Sequence, residues 1–560
     1  MRARRRAYHP SVRTNVLYYG DNLDILRRYV PDESVDLVYL DPPFNSQRSY
    51  NVIFKDESGR KSDAQLLAFE DTWHWGPNAE ATYAYLTNTV RHEGRIPDRV
   101  STIIAALRSG LGENQMTAYL VEMAVRLVDL HRVLKPTGSL YLHCDPTASH
   151  YLKLVLDGIF GPVNFRNEIT WKRSSAHSDT GQGARHYGRV ADTLLFYAQS
   201  DANAWNQQYQ PYDDTYIAEN YKRHEADGRV YRIDNIQGPG GEAKGNPQYE
   251  FLGVTRYWRY SRQRMQELYE QGRIVQTRPG AVPQYKRYLD EMPGVPVQSI
   301  WTDIPVINNR SREMLGYPTQ KPLALLERII ATSSNPGDVV LDPFCGCGTA
   351  LVAAEKLGRR WIGIDITWLA MAVMRARLKD SFGLDDVPVI GQPTEVEGAR
   401  QLAQSPEGRY QFQWWALALV DAKPVGGVEK KGSDRGIDGK ITFTDHNNEL
   451  QTVLVSVKSG HVNSGMVRDL KGTLDREKAA IGLFLTLEEP TKEMHLEADT
   501  AGLYHSELWN RDYPRLQILT IRELLEEGRR ALLPPFVLPG YQQAERVPTK
   551  KAAEQRELFG

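Results

Sequence analysis

The sequence predicts an α/β protein: a doubly wound, Rossmann-like sheet interrupted by an insertion and followed by a smaller C-terminal α/β domain. Three observations carry that prediction. Five short apolar runs, at 16–21, 35–41, 139–145, 338–344 and 361–365, each end in an acidic or glycine-bearing turn, as buried parallel strands do. Helical stretches alternate with them, at 23–29, 116–134, 322–332 and 349–357, and glycine or proline turns stop the last three. Between the two sets lies 173–309, tyrosine-rich, punctuated by glycine and proline, and without helical period except at 261–271.

Length and composition set the outer bounds. A chain of 560 residues with 41% hydrophobic content is too long for one ordinary core and divides into roughly three or four domains. A polar stretch at 391–409 reads as a linker and 410–535 as the smaller α/β domain. The charged, sparsely apolar segment 536–560 reads as a flexible tail. There is no apolar run of about 18 residues, and the basic start has no apolar stretch after it, so neither a membrane span nor a secretory signal is predicted. A cytoplasmic location is the expectation. Three cysteines, Cys144, Cys345 and Cys347, exclude a disulfide framework and a four-cysteine zinc site.

A net charge of -1 leaves a nucleic-acid partner open, so local clusters decide. Arg2, Arg4, Arg5 and Arg6 form one. Lys222, Arg223, Arg229, Arg232, Arg256, Arg259, Arg262 and Arg264 lie in a segment rich in tyrosine and tryptophan, an interleaving that suits phosphate contact and base stacking.

Two turns carry chemistry. Asp342-Pro343-Phe344-Cys345-Gly346-Cys347-Gly348-Thr349 joins a strand to a helix, where glycines let the backbone bend and approach a ligand. Seventeen residues after Gly348, Asp365 ends the next strand, and its carboxylate can accept from both ribose hydroxyls of an adenosine moiety. Position 351 is Leu, so the third glycine of a dinucleotide fingerprint is missing and a pyrophosphate ligand is disfavoured. The second turn, Asp41-Pro42-Pro43-Phe44, is held rigid by two prolines at a strand's carboxyl end. An aromatic amine is a poor nucleophile because its lone pair is delocalised. If the Asp41 carboxylate and the Pro42 carbonyl both accept from the amino hydrogens, the nitrogen moves toward tetrahedral geometry and its lone pair can be aimed at a sulfonium methyl. Phe44 would stack on an extruded base.

These residues resemble the amino-methyltransferases of DNA. D-P-P-F before F-x-G-x-G resembles their beta group, in which the target-recognition region lies between the two motifs. The resemblance covers about residues 15 to 390. It includes Gly20-Asp21-Asn22-Leu23, Thr319-Gln320-Lys321-Pro322, the run from Leu134 to Gly138 with that from Leu140 to Asp145, and the run from Asn167 to Trp171. It implies a methyltransferase core whose catalytic half is 15–172 and whose cofactor half is 310–390, with target recognition in 173–309. It also implies Asp41, Pro42, Pro43 and Phe44 as the catalytic turn. S-adenosylmethionine would be held by Asp21, Thr319, Phe344, Gly346, Gly348 and Asp365. Double-stranded DNA is then the partner, with the target base flipped out of it, and a restriction-system subunit is a further candidate partner. Asp41, where Ser is the alternative, favours adenine N6 over cytosine N4. Phe44 departs from the Tyr more often carried by adenine enzymes.

In the C-terminal domain, Gly432-Ser433-Asp434-Arg435-Gly436-Ile437-Asp438-Gly439 and, further on, Val455-Ser456-Val457-Lys458 resemble the PD-(D/E)xK nucleases, especially the Mrr-type restriction domains. That resemblance implies Mg²⁺ held by Asp438 and the Val457 carbonyl, with Lys458 as the catalytic cation. Position 456 is Ser where Glu or Gln is usual, so metal binding needs another acid such as Glu449 or Asp434. A fused methyltransferase-endonuclease, an inert fold used for contact and an unrelated α/β domain all stay open at this point.

Overall fold

The computed structural model describes residues 12–43, 49–55, 61–70, 73–174, 185–308, 311–315, 317, 319–404, 406–425, 436–535, 537 and 544. Phe44, Asp434, the N-terminal arginines and nearly all of the predicted tail lie outside them. The five predicted strands all form and lie side by side. β1 (Val16–Tyr19), β2 (Val35–Leu40), β3 (Leu134–Cys144), β4 (Phe165–Lys172), β5 (Ala191–Ala198), β6 (Ile300–Trp301), β7 (Val339–Asp342), β8 (Arg360–Asp365) and β9 (Val389–Ile390) make one sheet. Its order is β6-β4-β5-β3-β2-β7-β8-β1-β9. Only β5 runs antiparallel to its neighbours.

Every residue of β2 is buried, so the centre of the sheet is covered on both faces. The predicted helices supply part of the cover: α1 (Asn22–Tyr29), α2 (Gln115–Val133), α3 (Leu323–Ser333) and α4 (Thr349–Lys356), followed by α5 (Trp368–Phe382). Asn114 caps α2 by accepting from the Thr117 N–H, and Thr367 caps α5 by accepting from Ala370. Leucines and valines of α1 and α2 share one core with β1, β2, β3, β7 and β8. Two helices without a sequence reading, Pro77–Thr87 and Asp98–Leu111, pack onto the same core.

The stretch 173–309 divides. Residues 191–198 are β5, a near-continuous buried run hydrogen-bonded between β3 and β4. A compact unit of its own spans only 207–298. The sequence boundary took in β5 because an antiparallel strand lacks the strand-helix-strand rhythm that marked the other five. Within 207–298 the predicted helix forms as Arg262–Glu270, capped by Ser261, over a core of Ile236, Phe251, Trp258, Met265, Leu268 and Ile274. Part of the basic cluster is neutralised internally: Arg229 pairs with Asp290 and Glu291, Arg232 with Asp234, and Arg264 with Glu267. Lys222, Arg223, Arg256 and Arg259 are exposed.

The predicted linker contains a short helix, Val396–Leu402, and α6 (Pro406–Ala418) follows it. The C-terminal sheet runs β10 (Lys423–Pro424), β11 (Gly439–Thr444), β12 (Leu450–Lys458), β13 (Ile481–Thr486) and β14 (Leu516–Thr520), in that order. Gln411 on α6 accepts from the Trp368 N–H at the start of α5, tying this part of the chain to the turn after β8. Among the described residues no helix is long and apolar enough to cross a membrane.

Candidate functional site

The carboxyl ends of β1, β2, β7 and β8 open into one cavity of about 630 Å³, a size suited to a small molecule, where open α/β sheets bind ligands. Asp21, Asp41, Pro42, Pro43, Phe344, Gly346 and Asp365 all line it, and Thr319 reaches it from the loop before α3. β2 and β7 are parallel neighbours with Leu37 opposite Val340 and Val38 opposite Leu341, so the turns that follow them leave the sheet side by side. Gly348 is set back from the cavity. It caps α4 at φ +74°, and a Cβ there would stand 2.8 Å from Met374 Cγ, so its part is to shape the turn.

Asp365 sits beneath the glycine loop. One carboxylate oxygen accepts the Gly346 N–H at 2.9 Å, and the other accepts the Thr367 N–H and hydroxyl at 2.8 Å each. Burial raises its pKa while those donors pull it down. Burial also pushes the thiols of Cys345 and Cys347 up, which keeps them protonated and unreactive. From behind, Arg377 of α5 donates to the Cys347 carbonyl at 3.1 Å and the Thr349 hydroxyl at 3.0 Å.

Asp21 caps α1 and pairs with Arg126 of α2 at 2.7 Å. Arg126 also donates to Asn22 Oδ1 at 2.7 Å, and Asn22 donates to the Pro343 carbonyl at 2.9 Å, which joins the turn after β1 to the glycine loop. Asp41 forms an ion pair with Lys321, a residue of the Thr319-Gln320-Lys321-Pro322 run that carried no assigned role. Both are mostly buried. The remaining wall includes Tyr39, Trp171, Arg173 and Asp192. Sequence reading missed Arg126, Tyr39, Arg173 and Asp192. A signal was available for Arg126, an arginine inside the apolar run of α2.

In the C-terminal domain Asp438, Ser456 and Lys458 do come together, but not as a metal site. Asp438 Oδ2 accepts the Val457 N–H at 2.6 Å and the Ser456 hydroxyl at 3.3 Å, and Oδ1 accepts from Gln413 of α6 at 2.8 Å. Lys458 Nζ is 3.7 Å from Oδ2. Val457 therefore meets Asp438 through its N–H, not through the carbonyl that a metal would need. Glu449 lies at the other end of the β11–β12 hairpin, roughly 20 Å away at ~3.4 Å per residue. Among the described residues no three His, Cys, Asp or Glu groups gather to hold a metal. A hard cation wants several oxygen ligands, so the expectation of Mg²⁺ on Asp438 does not fit these residues.

A family of N6 and N4 methyltransferases, described as DNA methylase, matches residues 35–374. A second, described as NACHT-associated inactive Restriction Endonuclease 1, matches 424–526. The Type II methyltransferase M.EcaI of Enterobacter cloacae is 30% identical over 263 residues, which are 46% of this chain and 57% of that protein. The Mod subunit of the Type III restriction-modification enzyme StyLTI of Salmonella typhimurium is 26% identical over 362 residues, 61% of this chain and 50% of that protein. The chain thus spans about half the length of these curated relatives. Among solved structures, the complex of M1.HpyAVI with SAM is similar at 14% identity and a TM-score of 0.29, over 64% of this chain and 97% of that one.

Proposed function

The chain belongs to the DNA methylase family of N6 and N4 methyltransferases, and we propose that it transfers a methyl group from S-adenosylmethionine to the exocyclic amine of a base flipped out of double-stranded DNA, with adenine N6 as the target. One observation carries this reading: the Asp41-Pro42-Pro43 turn and the glycine loop leave adjacent strands and face the same cavity.

In this reading the residues divide their work by position. Asp365 accepts from the ribose hydroxyls, Asp21 faces the adenine, and Phe344, Gly346 and Thr319 complete the cofactor wall. When bound, S-adenosylmethionine supplies an electrophilic methyl on sulfur. Asp41 and the Pro42 carbonyl hold the target amine by accepting its hydrogens, which localises the nitrogen lone pair. For Asp41 to do so, Lys321 must share or release it, so the ion pair is the resting arrangement of the catalytic turn. Unit 207–298 reads the duplex through its exposed arginines. Similarity to a Mod subunit supports a restriction-modification setting with a partner subunit. The C-terminal domain, on the fit of its residues and its match to an inactive family, is a nuclease-like fold without cleavage.

The test is mass-spectrometric nucleoside analysis of DNA treated with the chain and S-adenosylmethionine. N6-methyladenine is expected, and Asp41→Ala should abolish it while calorimetry still shows cofactor binding. N4-methylcytosine would overturn the choice of base, and near-normal turnover of Asp41→Ala would overturn the assigned turn.

A further inference from the structure

Behind the catalytic turn runs a line of buried polar groups that no step above uses. The Tyr39 hydroxyl is 3.1 Å from His143 Nδ1, His143 Nε2 is 3.2 Å from Asp192 Oδ2, and Asp192 Oδ1 is 3.2 Å from Arg173 Nε. Tyr39, His143 and Asp192 are 2%, 0% and 4% exposed. They share one sheet face: Tyr39 pairs with Tyr141 across β2 and β3, His143 stands two residues on and pairs with Leu194, and Asp192 stands two residues from that. Tyr39 at one end of the line and Asp192 and Arg173 at the other reach the cavity wall, Tyr39 two residues before Asp41, while His143 between them is fully buried. A core that needed only packing would hold apolar side chains at less desolvation cost.

The proton positions follow from the partners. Burial pulls the Asp192 carboxyl upward, but His143 and Arg173 outweigh it and hold the group below the usual carboxylate range. With Arg173 Nε 3.2 Å from its other oxygen, an ionised Asp192 suits the tautomer in which His143 donates Nε2–H to it and leaves Nδ1 to accept from the Tyr39 hydroxyl. Around this line, the Trp171 ring packs edge-on against His143, Asp41 and Asp342 act on Tyr39, Lys321 acts on Asp192, and Asp145 and Glu168 act on the neighbouring Cys144.

Methylation of an amine forms an N–C bond, breaks an S–C bond and leaves one surplus proton on nitrogen. Asp41, paired with Lys321, is a poor place to put it. Building on the methyl-transfer reading, we propose that His143 receives this proton through Tyr39. The methylated nitrogen turns one of its two hydrogens from the Pro42 carbonyl to the Tyr39 oxygen; that proton passes to Tyr39 while Tyr39's own proton passes to His143 Nδ1, and the N–H electron pair stays on nitrogen. An imidazolium then rests against the Asp192 carboxylate and passes its proton back through Tyr39 to water entering the cavity once the product has left. Burial lifts the Tyr39 phenol well above its ordinary range, which disfavours a free phenolate between the two transfers.

The test is the single-turnover rate of methyl incorporation into bacterial genomic DNA lacking adenine methylation, measured with the full chain across about pH 5 to 8, where an imidazole titrates. Wild type should lose rate on the acid side, as a reaction that needs a free base to accept its proton does. Tyr39→Phe, which removes one oxygen atom, and His143→Gln should each lower the rate roughly 100-fold, the low end for general base catalysis, and flatten that acid limb. Cofactor affinity should stay unchanged. Tyr39→Phe with the wild-type rate and acid limb would overturn the proposal, even if His143→Gln failed to fold. Failure of the methyl-transfer reading looks different: wild type incorporates no methyl group, or Asp41→Ala incorporates as well as wild type, whatever Tyr39→Phe does.

Discussion

Asp365 both builds the glycine loop and faces the cavity, so its replacement is felt twice. Asp365→Ala removes the acceptor for Gly346 and Thr367 as well as the proposed ribose contact. Loss of hydrogen bonds to a charged acceptor should weaken S-adenosylmethionine binding by roughly 1.5 to 3 kcal/mol, read by calorimetry. Unchanged affinity would remove Asp365 from the site. This residue was legible in the sequence because a strand-ending carboxylate at a fixed distance from a glycine loop has few other uses. Arg126 and His143 were legible only as breaks in an apolar run. A polar or charged side chain inside a buried helix or strand has no partner visible along its own element, and only the fold shows that the partners, Asp21 and Asn22 for one and Tyr39 and Asp192 for the other, wait on separate strands and turns.

At the scale of the element, the turn between β7 and α4 depends on Gly348 for conformation and for space. A methyl group there meets Met374 at 2.8 Å in a left-handed backbone, whereas at Gly358, φ +70°, it meets nothing within 4 Å. Gly348→Ala should therefore lower the unfolding free energy by more than Gly358→Ala, whose cost is about 1 to 2 kcal/mol of backbone strain alone. Thermal denaturation of the two variants decides it, and equal losses would mean that Met374 yields freely. Elements of this kind were readable because parallel strands and their crossover helices alternate in sequence. β5 escaped for want of that alternation. The helices Pro77–Thr87 and Asp98–Leu111 escaped too: the first buries only Ala79 and Leu86, with little apolar periodicity.

For the whole molecule, the sharpest expectation concerns the end of the chain. With both Asp438 oxygens engaged by Val457, Ser456 and Gln413, the intact protein should leave plasmid DNA uncut in millimolar Mg²⁺. Agarose electrophoresis checks this, and cutting that disappears in Asp438→Ala would restore the fused-nuclease reading. The sequence showed the missing acid at Ser456 but not that Val457 turns its N–H inward. Register across the central sheet has a consequence of another kind. β2 needs β7 along one edge, yet the two are about 300 residues apart in the chain. At roughly 5 to 20 residues per second of synthesis, β7 emerges some 15 to 60 s after β2. Until then an apolar strand has one open edge, able to pair with another nascent chain. A product truncated before residue 339 keeps that edge open for good, so incomplete chains of this protein should be found in aggregates.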